Sequence, residues 1–179
     1  MNNTMQEFDT VIAQCKDIFL KKMHDYDTAW RILRTSSITD LIYIKAQRIR
    51  SIQQKGECKI DEDIQSEFKG IINYAVMAQI QLASSPISMK NIYLPHEEII
   101  ALYDKYVQKA KNLLSDKNHD YDEAWRNMRI SSITDIILMK LLRIKQIEDN
   151  DEQTLISEGL DANYYDIFNY AVFALIKLT

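Results

Sequence analysis

Two segments of this chain gather the side chains that do chemistry. The first runs His24-Asp25-Tyr26-Asp27, then Trp30 and Arg34; the second runs His119-Asp120-Tyr121-Asp122, then Trp125 and Arg129. Imidazole titrates near neutral pH, so His24 and His119 are the candidate catalytic residues, as general acid or base. An indole face can stack on a nucleobase, which makes Trp30 and Trp125 the candidate base-stacking residues. Downstream, Lys45 and Arg48 fall among Ile38, Leu41, Ile42, Ile49 and Ile52, positions that share one helix face at roughly 100° per residue. Lys140 and Arg143 sit the same way among Ile133, Ile136, Ile137, Ile144 and Ile147. A cation facing a core needs a carboxylate or a bound anion beside it. Arg34, Lys45, Arg48, Arg129, Lys140 and Arg143 are therefore the candidate phosphate-binding residues.

Carboxylates could hold Mg²⁺, which takes oxygen ligands and engages phosphates. Asp25, Asp120, Glu158 and Asp166 are the candidate metal ligands. Asp40, Asp135, Glu62 and Glu67 are further acidic residues, the first two also explained as helix caps. The acidic set is not duplicated, because Glu67 aligns with Asn163 and Gly70 with Asp166. The His/Cys spacing of a zinc site is missing, as is a Ser or Cys nucleophile motif. Each residue also has a purely structural reading. The inward cations can form ion pairs or snorkel outward. The tryptophans can pack in a core, and Asp27 can cap the short helix after it. Asn73 and Asn169, polar residues inside very apolar segments, are expected to make interhelical hydrogen bonds.

The elements that carry these residues are duplicated. Residues 22–52 and 117–147 align without a gap at an offset of 95, with 19 of 31 positions identical. The match resumes in IINYAVMAQIQL at 71–82 and IFNYAVFALIKL at 167–178, where the offset is 96. The organisation expected is a first repeat over 1–83, a linker over 84–95 bounded by Pro86 and Pro95, and a second repeat over 96–179. With only 3 Gly and 2 Pro, the chain lacks the turn residues of a sandwich or barrel and the glycines of a phosphate-binding loop. Apolar residues recur at helical spacing: Phe8, Val11, Ile12, Cys15, Ile18 and Phe19 in one copy, Ile99, Leu102, Tyr106, Ala110 and Leu113 in the other. Ser37-Ile-Thr-Asp40 and Ser132-Ile-Thr-Asp135 read as capping-box variants opening the next helix. The nearly apolar segments Ile71–Leu82 and Ile167–Leu178 belong at the centre of a bundle. The fold expected is all-α, a helical bundle of two homologous helical-hairpin halves related by a pseudo-twofold, like a homodimer fused into one chain.

A net charge of −4 argues against a dedicated nucleic-acid binder. Cys15 reads as core and Cys58 stands alone, with no CxxC pair and no disulfide framework, which fits a reducing compartment. MNNTMQEFDT has no basic region followed by an apolar run, and no stretch approaches a membrane span, so a cytoplasmic protein is expected. Its oligomeric state would be a monomeric pseudo-dimer or a homodimer.

The motif HDY-x-x-AWR-x-x-R-x-SSITD-x-x-x-x-K-x-x-R, followed by NYA, resembles the bacterial domain-of-unknown-function family called nucleotide modification associated domain, type one. The resemblance covers nearly the whole chain, as two tandem copies. It implies a role around nucleotide modification. That family usually reads HDYG, whereas Asp27 and Asp122 replace the glycine here. The layout also looks like the all-α, MazG-like nucleotide pyrophosphohydrolases, although their paired ExxE and ExxD motifs are not reproduced. The function expected is binding of a nucleotide or another phosphorylated small molecule, with Mg²⁺-dependent (pyro)phosphohydrolysis as its catalytic form. The alternative is a non-catalytic interaction or regulatory module whose inward charges are internal ion pairs.

Overall fold

Apolar residues at three- and four-residue spacing drive the helices of this chain, for which a computed structural model describes residues 3–56, 60–84, 88–151 and 159–179. Helix α1 spans Thr4–Tyr26; a 3-10 turn over Ala29–Ile32 then leads into α2, Thr35–Lys55, and α3, Ile60–Ala83. The second half repeats this as α4, His96–Tyr121, a 3-10 turn over Ala124–Asn127, α5, Ile130–Asp149, and α6, Leu160–Leu178. Among the described residues there is no strand, and the fold is all-α. No helix among them is long and apolar enough to cross a membrane. Cys58, Pro86, Glu158 and the side chains of Glu62 and Asp120 lie outside the described residues.

Helices α2 and α3 pack as a hairpin, α5 and α6 as its counterpart, and α3 lies on α6 at the centre. Ile71, Ile72, Val76 and Ile80 of α3 and Ile167, Val172 and Leu175 of α6 are all buried. Each such side chain contributes about 1.5–3 kcal/mol on burial, so the central pair carries much of the core. Ala75, Ala78, Ala171 and Ala174 are buried beside them, and small residues keep such a helix contact thin. Asn73 and Asn169 make the expected interhelical bonds, donating to the carbonyls of Cys15 at 3.0 Å and Ala110 at 3.2 Å. Cys15 is core, and burial pushes its thiol up to about 12.

Reciprocal contacts display the pseudo-twofold. Lys16 on α1 pairs with Asp104 on α4 at 2.8 Å, and the equivalent Lys111 pairs with Asp9 at 2.7 Å. Between α2 and α5, Arg50 meets Asp135 at 3.4 Å and Lys145 meets Asp40 at 2.7 Å. Gln53 donates to Thr134 Oγ1 at 3.1 Å, and its equivalent Glu148 lies near Thr39, the equivalent of Thr134. A pair in which i meets j while the copy of j meets the copy of i is the mark of an isologous interface, enclosed here in one chain. Exposed pairs of this kind add little stability each. The two AWR arginines cross in the same manner. Arg31 is buried and donates to the carbonyls of Asn91 and Ile92 ahead of α4, at 2.6 and 2.7 Å. Arg126 pairs with Glu7 in the first turn of α1 and with Glu123.

Two local expectations are corrected. Helices α2 and α5 begin at Thr35 and Ile130, with Arg34 and Arg129 at their N-caps and no side-chain cap bond. The backbone leaves each 3-10 turn through an extended residue, Leu33 or Met128, and is already helical before Ser37 or Ser132. Thr39 and Thr134 bond the carbonyls of Thr35 and Ile130, at 3.0 and 3.1 Å, which is a back-bond inside the first turns and not a cap. Asp27 likewise does not occupy the cap of the 3-10 turn, which is Thr28; it accepts the Thr28 N–H at 2.9 Å.

Candidate functional site

A cavity of about 540 Å³ opens in the first half, between the end of α1, the 3-10 turn, α2 and α3. Phe19, Met23, Leu33 and Met77 give it an apolar wall, and Trp30 and Tyr74 are among its aromatic residues. Three lysines line it, Lys22 from α1, Lys45 from α2 and Lys69 from α3, against one carboxylate, Asp27. Its polar floor includes Asn73, which is held by its bond to Cys15 and by the Tyr103 hydroxyl at 2.8 Å. Lys45 crosses close to α3 because position 70 is glycine: a Cβ there would stand 2.9 Å from Lys45 Cε. Its Nζ then reaches Glu67 Oε2 at 3.3 Å and lies 5.8 Å from the centre of the Tyr74 ring. Glu67 also takes Arg48 at 3.2 Å, so two cations share one carboxylate. Lys22 and Lys69 have no carboxylate partner among the described residues.

At the same place in the second half, the described side chains pair with one another. Asp166 stands where the first half has Gly70, and it takes Lys117 at 2.8 Å and Lys140 at 3.0 Å, the equivalents of Lys22 and Lys45. Burial works to raise the pKa of Asp166; the bonds and charges of Lys117 and Lys140 more than offset it and hold the carboxyl below its ordinary value. Phe173 stands where the first half has Met77, and its ring is stacked on Trp125 at 4.2 Å and 7°. Trp125 is 6% exposed, with the Arg126 guanidinium 4.4 Å from its ring centre. Trp30, by contrast, meets Phe19 edge-on at 6.4 Å and stays on the cavity wall.

The family model for nucleotide modification associated domain 1 matches residues 22–82 and 117–178. The chain belongs to the nucleotide modification associated domain 1 family. Comparison with curated proteins and with solved structures found no match. Each half carries one of the two matches, and the cavity lies in the first half. Asp27 has φ 55° and Asp122 φ 53°, the left-handed region that glycine enters freely and aspartate enters at a cost.

Of the residues singled out in the sequence, Lys45 and Trp30 meet in the cavity. Arg34 and Arg129 are exposed N-cap residues, and neither lines it. Arg48 is 59% exposed, so its stem leaves the apolar stripe, while Arg143 is half-buried on α5. His24 is 88% exposed at the end of α1, with Nδ1 3.2 Å from Asp25 Oδ1, and neither residue lines the cavity. His119 is exposed at the end of α4. Lys140 and Asp166 are bound to each other. Among the described residues no three of His, Cys, Asp or Glu come together as a metal-ligand set. Asp166, already carrying two ammonium groups, and the exposed Asp25 do not fit one. The cavity adds Lys22, Lys69 and Tyr74, which motif reading passed over, and Asp27, which it read as a helix cap. The unlike pair Gly70/Asp166 carried a signal.

Proposed function

We propose that the chain binds a nucleotide, or a closely related phosphorylated small molecule, in the first-half cavity. The observation that carries this reading is the company of three lysines, two of them without a carboxylate partner among the described residues, with Trp30 and Tyr74 in one concave site. Ammonium groups on a partly desolvated wall attract phosphate more strongly than they would in water. An indole beside them offers a face to a base. Apolar pockets with a few convergent polar groups are where small molecules bind. These side chains bind and orient; no hydrolytic step is derived from them, and the Mg²⁺-dependent form of the activity is a further proposal that turnover assays must decide.

A specific observation favours the second reading, an interaction or regulatory module. Lys45 and Arg48 are already paired with Glu67, as internal ion pairs would require. Thermal stabilisation across a nucleotide panel, with and without Mg²⁺ or Mn²⁺, separates the two. A ligand at 100 times its Kd adds about 2.7 kcal/mol, which a melting curve resolves. Binding predicts a shift with a subset of nucleotides that Lys45→Ala removes; no shift with any nucleotide supports the module.

A further inference from the structure

We infer that Asp27 is a specificity-determining residue of the first-half cavity, accepting a hydrogen bond from a hydroxyl or amino group on the nucleoside part of the ligand, with His96 as its positioning residue. The inference rests on the nucleotide reading of that cavity. Asp27 is its one carboxylate, half-exposed on a wall that carries three lysines. A carboxylate there repels phosphate, and its unpartnered oxygen suits a ligand that also brings a hydrogen-bond donor; ionised aspartate accepts and cannot donate.

Its bonds are one-sided. The Thr28 N–H, at 2.9 Å, and His96 Nε2, at 3.0 Å, both donate to Oδ1. Oδ2 has no partner among the described residues and remains for a ligand. The residue is also held in an unfavourable backbone shape, φ 55° and ψ −145°, which glycine adopts at less cost. A carboxylate stands where glycine would be less strained. His96 opens α4, so the second half supplies the group that braces a residue of the first half's cavity. Asp122 has a different backbone, φ 53° and ψ 38°, at the corresponding place.

The test is calorimetric titration of the full chain with ribonucleotides, their deoxy counterparts and inorganic pyrophosphate, the last being an anion without a nucleoside. Asp27→Ala is expected to weaken the ribonucleotides roughly 10- to 100-fold, the effect of one hydrogen bond to a charged acceptor. Pyrophosphate should bind as well as before or better, because a negative charge has left the wall. Asp27→Asn, closest in shape, should show the same split and guards against misfolding. Deoxy compounds insensitive to Asp27→Ala would put the donor on the sugar; equal sensitivity would put it on the base. His96→Ala should lose part of the preference for nucleotide over pyrophosphate, and His96→Gln, which keeps an N–H donor, should restore it. Equal losses for nucleotides and pyrophosphate, or nucleotide binding unchanged by both Asp27 variants, overturn the inference while the nucleotide reading stands. A wild-type chain that binds pyrophosphate but no nucleotide overturns the nucleotide reading, and the inference with it.

Discussion

The two halves start from nearly the same motif and end with different sites. In the first, Gly70 lets Lys45 cross close to α3, and Met77 leaves Trp30 on the wall of a cavity. In the second, Asp166 binds both equivalent lysines, and Phe173 lies flat on Trp125. Changes on the last helix of the repeat, Gly70 to Asp166, Met77 to Phe173 and Lys69 to Tyr165, therefore set a cavity lined by three lysines apart from a place where two lysines share one carboxylate and a ring covers the tryptophan. The helices, the 3-10 turns and the crossed contacts between halves survive in both copies. A duplicated fold can thus keep its architecture, supported by both halves, while the lysine-lined cavity lies in the first.

That contrast can be broken by substitution. The largest effects are expected in the first half. Met77→Phe should fill the cavity as Phe173 fills its counterpart, and weaken nucleotide binding at least roughly 100-fold, more than the loss of any single polar contact. Lys45→Ala should weaken it roughly 10- to 100-fold, the effect of one charged hydrogen bond, whereas Lys140→Ala should leave affinity within about twofold. Titration calorimetry reads both. Lys140→Ala should instead lower stability by about 1–3 kcal/mol in denaturant unfolding, because a partly buried carboxylate loses one of two cations.

Acidity sharpens the same contrast. The folded pKa of Asp166 lies below its unfolded value, so the stability it contributes is fully present above the unfolded pKa. That stability fades as the pH falls through the ordinary aspartate range and is lost below the folded value. Asp166→Asn should therefore destabilise the chain at neutral pH and matter progressively less in acid, as pH-dependent unfolding curves would show. The smallest effect is expected at the turn. Asp122→Gly should stabilise by up to about 1 kcal/mol, since glycine enters the left-handed region freely, without changing nucleotide binding. The comparable change at Asp27 should alter ligand preference.

Much of the fold was legible in the sequence. The alignment of 22–52 with 117–147, the 3.6-residue spacing and the apolar NYAV segments led directly to an all-α bundle of two homologous halves. The helix starts were not, because Ser-x-x-Asp reads as a cap even when the preceding extended residue lets the helix begin three residues earlier. The inward position of Lys45 and Lys140 was readable from period alone; Arg48 was not, since a long stem lets the charge leave a buried face. Which tryptophan stays on a cavity was hidden, because Met77 and Phe173 are both apolar and both fit the helix. Gly70 and Asp166 were visibly unlike, yet only the packed helices show that this aspartate meets lysines from α4 and α5. His96 lies outside the repeated motif and reaches Asp27 across 69 positions of chain, a distance that no local pattern spans.

The most direct test of one binding site per chain is the stoichiometry of nucleotide binding to the wild-type protein, by calorimetry at known active concentration. About one nucleotide per chain, abolished by Met77→Phe and untouched by Lys140→Ala, is the expected result. Two equivalent sites per chain, or one site that persists after Met77→Phe, would contradict it.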